Sequence, residues 1–467
     1  MITITFASRM MESNETIVAL ATPQGVGAIG VIRLSGPNSV NILAKVFSKN
    51  ISKAESHTAH FGQIREGKRV IDEVLATLFL NGKSYTGEEV VEVSCHGSQY
   101  ILQDVIRLFL EHGATAAKPG EFTLRAFLNG KLDLSQAEAV ADLIASNSEA
   151  AHKVAMQQMR GGFSDQIKKL RADLIHFASM VELELDFGEE DVEFANRDEL
   201  KALIWKIHIV IQALVTSFKS GNVIKNGVPV VIAGKPNAGK STLLNALLNE
   251  EKALVTEIAG TTRDVIEDEV IWNGVVFRFI DTAGIRETDD LVESLGVKKT
   301  LEKMREAAIV CYLFDAATIE SSELQTIVAE LKQDVEKSNS ELVLVANKSD
   351  QLTKEKKAYL ENEYAPIFLS AKEKNNLNEL ENHIIELVNL GKVGEQDVVI
   401  TNSRHYQALT SSNEALMRAY NGLSSGLSGD LLAADIRQSL FHLGEITGEV
   451  TTDDLLENIF SKFCIGK

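Results

Sequence analysis

Gly234-Lys235-Pro236-Asn237-Ala238-Gly239-Lys240-Ser241 has the spacing G-x-x-x-x-G-K-[ST]. It follows the apolar run Val228–Ala233 and precedes the helical run Thr242–Leu248, the strand–loop–helix context in which such a loop binds phosphate. Its glycines let backbone N–H groups curl around an anion, and the helix N-terminus adds the positive end of its dipole. Lys240 is then placed for the outer phosphates of a nucleotide and the Ser241 hydroxyl for Mg²⁺. Asp281-Thr282-Ala283-Gly284 ends the strand Phe277–Ile280. An acid after an apolar strand, roughly forty residues beyond the loop, supports Mg²⁺ through its water shell, and the Gly284 N–H can face the γ-phosphate.

Asn347-Lys348-Ser349-Asp350 follows the strand run Leu342–Ala346. The Asp350 carboxylate can accept two hydrogen bonds from guanine, at N1–H and the 2-amino group. Facing adenine it would stay unpaired, which is costly. Ser370-Ala371-Lys372 after the last strand offers a backbone contact to the guanine oxygen. In this order the motifs predict a P-loop GTPase domain of about 160 residues that takes GTP and GDP.

Gly260-Thr261-Thr262-Arg263-Asp264 resembles GTPase switch I, which makes Thr262 a second Mg²⁺-ligating hydroxyl. Ile285 follows Gly284, where small signalling GTPases carry a water-orienting glutamine. Isoleucine has neither donor nor acceptor, so that work falls elsewhere. Asn237 offers a carbonyl oxygen beside the outer phosphates. A monovalent cation held there with switch I carbonyls would supply charge where an arginine finger acts. Glu293 is a second candidate, although chemistry alone makes it an ordinary exposed helix glutamate.

The elements around these loops fall into four textures. Residues 14–120 carry short apolar strands, Thr16–Ala21, Ala28–Leu34, Val70–Leu80 and Glu89–Ser94, with a helix over Tyr100–Glu111, an α+β pattern. Residues 131–220 lack proline and recur apolar at helical spacing; Ala137, Val140, Ala141 and Ile144 are expected on one face. Asp186–Asp191 reads as an acidic break. Residues 228–390 alternate strands and helices, predicting a mainly parallel sheet, with an antiparallel hairpin at Asn273-Gly274. Residues 402–461 are helical again, with Thr452 as an N-cap. The two helical regions are expected to form one bundle, with the α/β block inserted between them.

The 467 residues carry 47 basic and 66 acidic side chains, a net charge of −19, which argues against a sequence-independent polyanion binder. No run reaches the ~20 apolar residues of a bilayer span, and Met1–Met11 lack a signal-peptide pattern. A soluble, cytoplasmic protein with no membrane association is expected. Cys95, Cys311 and Cys464 are few and scattered, as in a reducing compartment without a metal site. Cys95-His96 is a tempting dyad, but neighbours on a strand face opposite ways. Gly25-Val26-Gly27-Ala28-Ile29-Gly30 has dinucleotide-loop letters, yet the strand Ala28–Leu34 leaves no helix behind it.

The motif set as a whole resembles the tRNA-modification GTPase family called MnmE or TrmE. The flanks carry this resemblance: Ala21-Thr22-Pro23, Gly30-Val31-Ile32-Arg33-Leu34-Ser35-Gly36, Tyr85-Thr86-Gly87-Glu88-Glu89, Cys95-His96-Gly97, the run Pro119–Leu134 and the closing Phe460–Lys467. It extends over nearly the whole chain from about residue 14. It implies a multidomain fold: an N-terminal α+β tetrahydrofolate-binding and dimerisation domain over 14–130, a helical bundle built from 131–222 and 391–467, and an inserted α/β GTPase domain over 223–390. It implies a homodimer, and an MnmG (GidA) partner, in a heterotetramer, that carries the FAD. The implied activity is K⁺-stimulated GTP hydrolysis that supports adding an aminomethyl or carboxymethylaminomethyl group at carbon 5 of the tRNA wobble uridine. The implied one-carbon donor is 5-formyl- or 5,10-methylene-tetrahydrofolate. Arg33, Glu88, Lys131 and Lys467 match its folate-contact positions. Asn237 and the carbonyls of Thr256, Ile258 and Thr261 match its K⁺ seat, with Glu293 assisting water. The resemblance places Ala238, Gly239, Thr242, Glu257, Ala259, Gly260, Thr282 and Ala283 along the nucleotide as well. Cys464, four residues from the end, is given a possible thiolate role by the same likeness.

Two rivals predict different features. A ribosome-assembly GTPase that binds rRNA calls for a basic domain, against which the charge speaks. A folate-dependent methyltransferase merely regulated by GTP would work without turnover.

Overall fold

A computed structural model of the chain describes residues 15–186, 197–250, 267–281, 307–338, 340–388, 398–425 and 429–466. The chain divides into two compact units. One holds the described residues within 1–144, 155–215 and 404–467, the other those within 145–154 and 216–403. Most of the two helical regions, 155–215 and 404–467, share the first unit with 1–144, and the α/β block lies between them in chain order.

The first unit opens with a six-stranded sheet in the order β3-β4-β5-β2-β1-β6. Its strands are β1 Thr16–Leu20, β2 Ile29–Ser35, β3 Thr58–Glu66, β4 Arg69–Phe79, β5 Val90–His96 and β6 Ala114–Ala116. All pairings are antiparallel except β1 with β6. Alternation decides the faces. Ile32, Leu34, Val74, Ala76, Leu78, Val91 and Val93 point inward and pack with α1 (Ser39–Val46) and α2 (Gln99–Glu111). The opposite face keeps Arg33 level with Glu92 and Thr77, and in the next row Leu75 opposite Phe61. Cys95 is buried and His96 is exposed, so the two do face apart. Burial, then the charge of Asp72, raises the Cys95 thiol to about 12, which leaves it inert.

The helices that follow are α3 (Glu121–Leu128), α4 (Leu134–Ala145), α5 (Glu149–Met159), α6 (Gly162–Asp186) and α7 (Arg197–Asn226). In α4, Ala137 and Val140 are buried, but Ile144 is 48% exposed. The common face ends where the chain leaves the unit at Ile144. By length and mean composition α7 is apolar enough to cross a bilayer, although Lys206, His208, Gln212 and Lys219 interrupt it and no run in it reaches ~20 apolar residues. Within the first unit its buried residues form a single stripe, Leu200, Ile204, Ile207, Ile211 and Leu214, the four-three spacing of a bundle seam.

After the second unit the chain returns through α12 (Ser403–Ser425), α13 (Gly429–Thr447) and α14 (Asp453–Phe460). Thr452 caps α14 by accepting the Leu455 N–H. At the return point Arg404 and His405 converge on Glu138: Arg404 Nη2 and His405 Nε2 reach its Oε2 at 2.7 and 2.8 Å. Burial pushes this carboxyl up, but His405 and Arg404 outweigh it and hold it down at about 2. A depressed folded value contributes stability that is present above the ordinary glutamate range and lost as pH falls towards 2. The displacement corresponds to stability on the order of 3 kcal/mol. Glu138→Gln should therefore cost most at neutral pH, and its deficit in chemical denaturation should shrink between pH 4.5 and pH 2. A deficit independent of pH would refute this account.

The second unit contains the other sheet, ordered β12-β11-β10-β7-β9-β8. Its strands are β7 Val228–Ala233, β8 Glu267–Trp272, β9 Val275–Asp281, β10 Ile309–Asp315, β11 Glu341–Asn347 and β12 Ile367–Phe368. All neighbours are parallel except the β8–β9 hairpin. Asn273 and Gly274 both have positive φ, 48° and 76°, the turn that Asn-Gly favours. The helices α8 (Lys240–Glu250), α9 (Ser321–Ser338), α10 (Lys354–Tyr364) and α11 (Leu377–Val388) connect the strands. Residues 145–154 belong to this unit too: Ala151 and Val154 pack on Ile224, and Asn147 donates to Glu269 at 3.0 Å.

Candidate nucleotide site and N-terminal polar group

Parallel strands release their loops at one sheet edge, where ligands of such folds bind. The loop after β7 runs from Gly234 to Gly239. A Cβ at Gly234 would stand 2.1 Å from the Leu313 carbonyl oxygen, and one at Gly239 2.3 Å from Asn347 Nδ2. Both positions have positive φ, so no side chain fits at either. Asn237, exposed at φ 63°, also takes the left-handed conformation, which asparagine tolerates. Lys240 Nζ folds back over the loop, donating to the carbonyls of Gly234 and Lys235 at 2.8 and 3.0 Å. Lys235 itself pairs with Glu323 of α9. Ser241 and Thr242 are exposed in the first turn of α8, and Ala238 is buried. A hydroxyl beside a ring of N–H groups is a hard oxygen donor suited to Mg²⁺.

Asn347 ends β11 and is only 3% exposed. Its Nδ2 donates to the Ala238 carbonyl at 2.8 Å, and its Oδ1 accepts the Ala371 N–H at 3.0 Å. One amide thus fastens the phosphate loop to the Ser370-Ala371-Lys372 loop. Removing it leaves a buried donor and a buried acceptor unpaired. Asn347→Ala should cost about 2–3 kcal/mol of stability, visible as a lowered thermal midpoint.

Lys348 stands at φ 60°, with Nζ 2.7 Å from Asp315 Oδ2. Asp350 is exposed, and the Ser370 hydrogen bond holds its carboxyl below the usual range. It therefore stays an acceptor. Ser370 and Ala371 are buried while Lys372 projects into solvent. Asp315, which the motif analysis missed, carried a signal: it is an acid directly after the apolar run Ile309–Phe314 at the ligand edge. Thr256, Glu257, Ile258, Ala259, Gly260, Thr261, Thr262, Thr282, Ala283, Gly284, Glu293 and Lys467 lie outside the described residues, as does the Asp281 side chain.

A second group of polar side chains lies in the first unit. Arg33 is gripped by Glu92 through Nε and Nη2 at 2.9 and 2.8 Å. Its guanidinium lies 5.8 Å from the Tyr85 ring and 5.7 Å from Phe122. Its Nη1 also reaches the Gly466 carbonyl at 3.5 Å, so the C-terminal segment ends beside it. Glu88 accepts from Ser35 at 2.6 Å and from Arg125 at 3.2 Å, while Arg125 also binds Glu121 at 3.0 Å. Lys131 Cε lies 3.1 Å from where a Gly87 Cβ would stand. Arg33, Glu88 and Lys131 are thus all tied to the segment 84–92 or the adjacent β2. Cys464 is exposed, and its carbonyl accepts the Gly120 N–H at 3.4 Å. Tyr85 and Glu92 are additions that sequence spacing did not single out for this group.

A family profile described as the MnmE helical domain matches residues 134–464, and one described as the GTP-binding protein TrmE N-terminus matches 16–131. The chain is 57% identical to the tRNA modification GTPase MnmE of Cytophaga hutchinsonii, over 97% of this chain and 98% of that one. It is 55% identical to the tRNA modification GTPase MnmE of Christiangramia forsetii, over 98% of this chain and 100% of that one. Among solved structures, Aquifex aeolicus Era bound to GDP and aluminium fluoride matches at 25% identity and a TM-score of 0.28, covering 40% of this chain and 66% of that one.

Proposed function

The chain belongs to the tRNA modification GTPase MnmE family and is a GTP hydrolase, and from that premise we propose that its turnover drives modification of carbon 5 of the tRNA wobble uridine. Identity spread over 97% of the chain carries the reading, because it takes in the nucleotide slot and the Arg33–Glu88 group together. The proposed layout is the one the motifs imply, 14–130, 131–222, 223–390 and 391–467, in a soluble cytoplasmic homodimer.

In the slot, Asn237 through Thr242 would wrap the phosphates, with Lys240 leaving its own loop carbonyls for the outer phosphate oxygens. Ser241 with Thr262 would hold Mg²⁺. Asn237 with the carbonyls of Thr256, Ile258 and Thr261 would hold K⁺, which when bound supplies positive charge at the transferring phosphoryl group. Asp281 and Gly284 would complete the phosphate end, Glu293 would orient water, and Asp350 would choose guanine.

In the N-terminal group, Glu88 accepts from Arg125 and can also accept from an amino-pterin edge, while Arg33, Lys131 and Lys467 suit carboxylates. A tetrahydrofolate one-carbon carrier has both. Cys464 lies on the segment that reaches Arg33 and is a candidate thiolate for the transfer. An MnmG partner would supply the flavin. The uncovered sheet face with Phe61 57% and Leu75 43% exposed supports a second copy as neighbour.

The test is nucleoside mass spectrometry of tRNA from cells lacking this protein. The carbon-5 group should vanish from the wobble uridine and return when the gene is supplied again. An unchanged modification level would overturn the reading.

A further inference from the structure

Asp315 ends β10 directly opposite Asn347 in the parallel register. Its two oxygens do different jobs. Oδ1 accepts the N–H groups of Ala317 and Thr318 at 3.0 and 3.3 Å, closing the turn that follows the strand. Oδ2 accepts from Lys348 Nζ at 2.7 Å. The pair is partly sheltered, with side-chain exposures of 20% and 34%. Burial pushes the Asp315 carboxyl up, but Lys348 and the Ala317 N–H outweigh it and the group stays ionised.

Lys348 leaves the backbone between two residues of the slot, Asn347 that braces the loops and Asp350 that faces the base. Its left-handed φ of 60° is a conformation lysine rarely takes. A four-carbon stem starting there can serve as a wall for the flat face of a purine or for its ribose. A lysine stem carries much rotamer freedom, which binding would have to remove. Asp315 removes it beforehand by holding the ammonium at the far end of the stem, and such preorganisation raises affinity without adding a ligand contact.

We propose that Asp315 is a positioning residue of the nucleotide site, which fixes Lys348 as a wall against the ring face and so sets affinity for nucleotide without setting the choice of base. The inference rests on the GTP reading above. Face contacts are indifferent to the groups on the base edge, whereas Asp350 reads that edge.

The experiment measures GDP and inosine diphosphate affinities by calorimetry on the full chain, for wild type, Asp315→Asn, Lys348→Met and the double variant. Asp315→Asn keeps an oxygen for the Ala317 and Thr318 N–H groups and replaces the Oδ2 that accepts from Lys348 with an NH₂ donor, so it removes both the charge and the hydrogen bond to Lys348. It should weaken both nucleotides by the same factor, about three- to tenfold, and lose that effect in the Lys348→Met background. Across a GTP titration the KM should rise while kcat stays within about twofold. An equal effect with and without Lys348, a changed GDP to inosine diphosphate ratio, or no effect at all would overturn the proposal. Should Asp315→Asn not fold, Asp315→Glu is carried through the same cycle, with the same coupling to Lys348 expected. A wild-type chain that binds neither nucleotide would sink the GTP reading instead.

Discussion

Asp350→Asn is expected to move nucleotide preference from guanosine to xanthosine triphosphate by about 10²–10³-fold. In the proposed pose guanine would present two donors, N1–H and the 2-amino group, to the Asp350 carboxylate, which the Ser370 hydrogen bond keeps ionised. An asparagine amide offers one acceptor and one donor. Its oxygen still takes N1–H, but its NH₂ opposes the 2-amino group. Xanthine replaces that amino group by a carbonyl and restores both bonds. Each mismatched polar pair that the bound base shields from water costs about 1–3 kcal/mol, and the effect is counted twice, once lost for guanine and once gained for xanthine. Hydrolysis of the two triphosphates by the variant and by wild type measures it. Strict retention of guanosine would show that another group reads the base.

Hydrolysis is expected to fall about 10–10²-fold when KCl is exchanged for NaCl at equal ionic strength. Ile285 provides nothing to orient or polarise the attacking water. Asn237 stands exposed on the phosphate loop at φ 63°, with an amide oxygen available to a hard cation. Preorganised charge at the phosphoryl group is worth several kcal/mol, and the proposed K⁺ seat would hold the smaller Na⁺ with poorer geometry. Asn237→Ala should abolish the difference between the salts and leave the slow rate. Equal wild-type rates in both salts would remove the cation from the mechanism.

Much of this architecture is written locally. Asn273-Gly274 fixes a hairpin because only a few residues tolerate two positive φ values in succession, and Thr452 caps its helix through a side chain three residues from its partner. The phosphate loop is legible for the same reason: its glycines, strand and helix are contiguous. β3 was not anticipated. It is an edge strand in which Ile64 is buried but Phe61 is exposed, so the alternation that marks a half-buried strand is weak. Ile144 was misplaced because helical periodicity cannot say where a partner surface ends. The two roles of Asn347 were hidden by distance, since its partners are 109 and 24 positions away. Arg33 and Glu92, 59 positions apart, meet only through strand register. Asp315 was visible as an acid at a strand end, yet nothing local connects it to Lys348.

The amide of Asn347 has a kinetic corollary. Because the same side chain holds Ala238 and Ala371, the two extremities of the slot form a single mechanical part. GDP release should then be all-or-none: loosening the loop at either extremity speeds departure of the whole nucleotide, and no state with a freed purine and a retained diphosphate should accumulate. An exchange factor acting on this chain need grasp only one side of the slot to empty it.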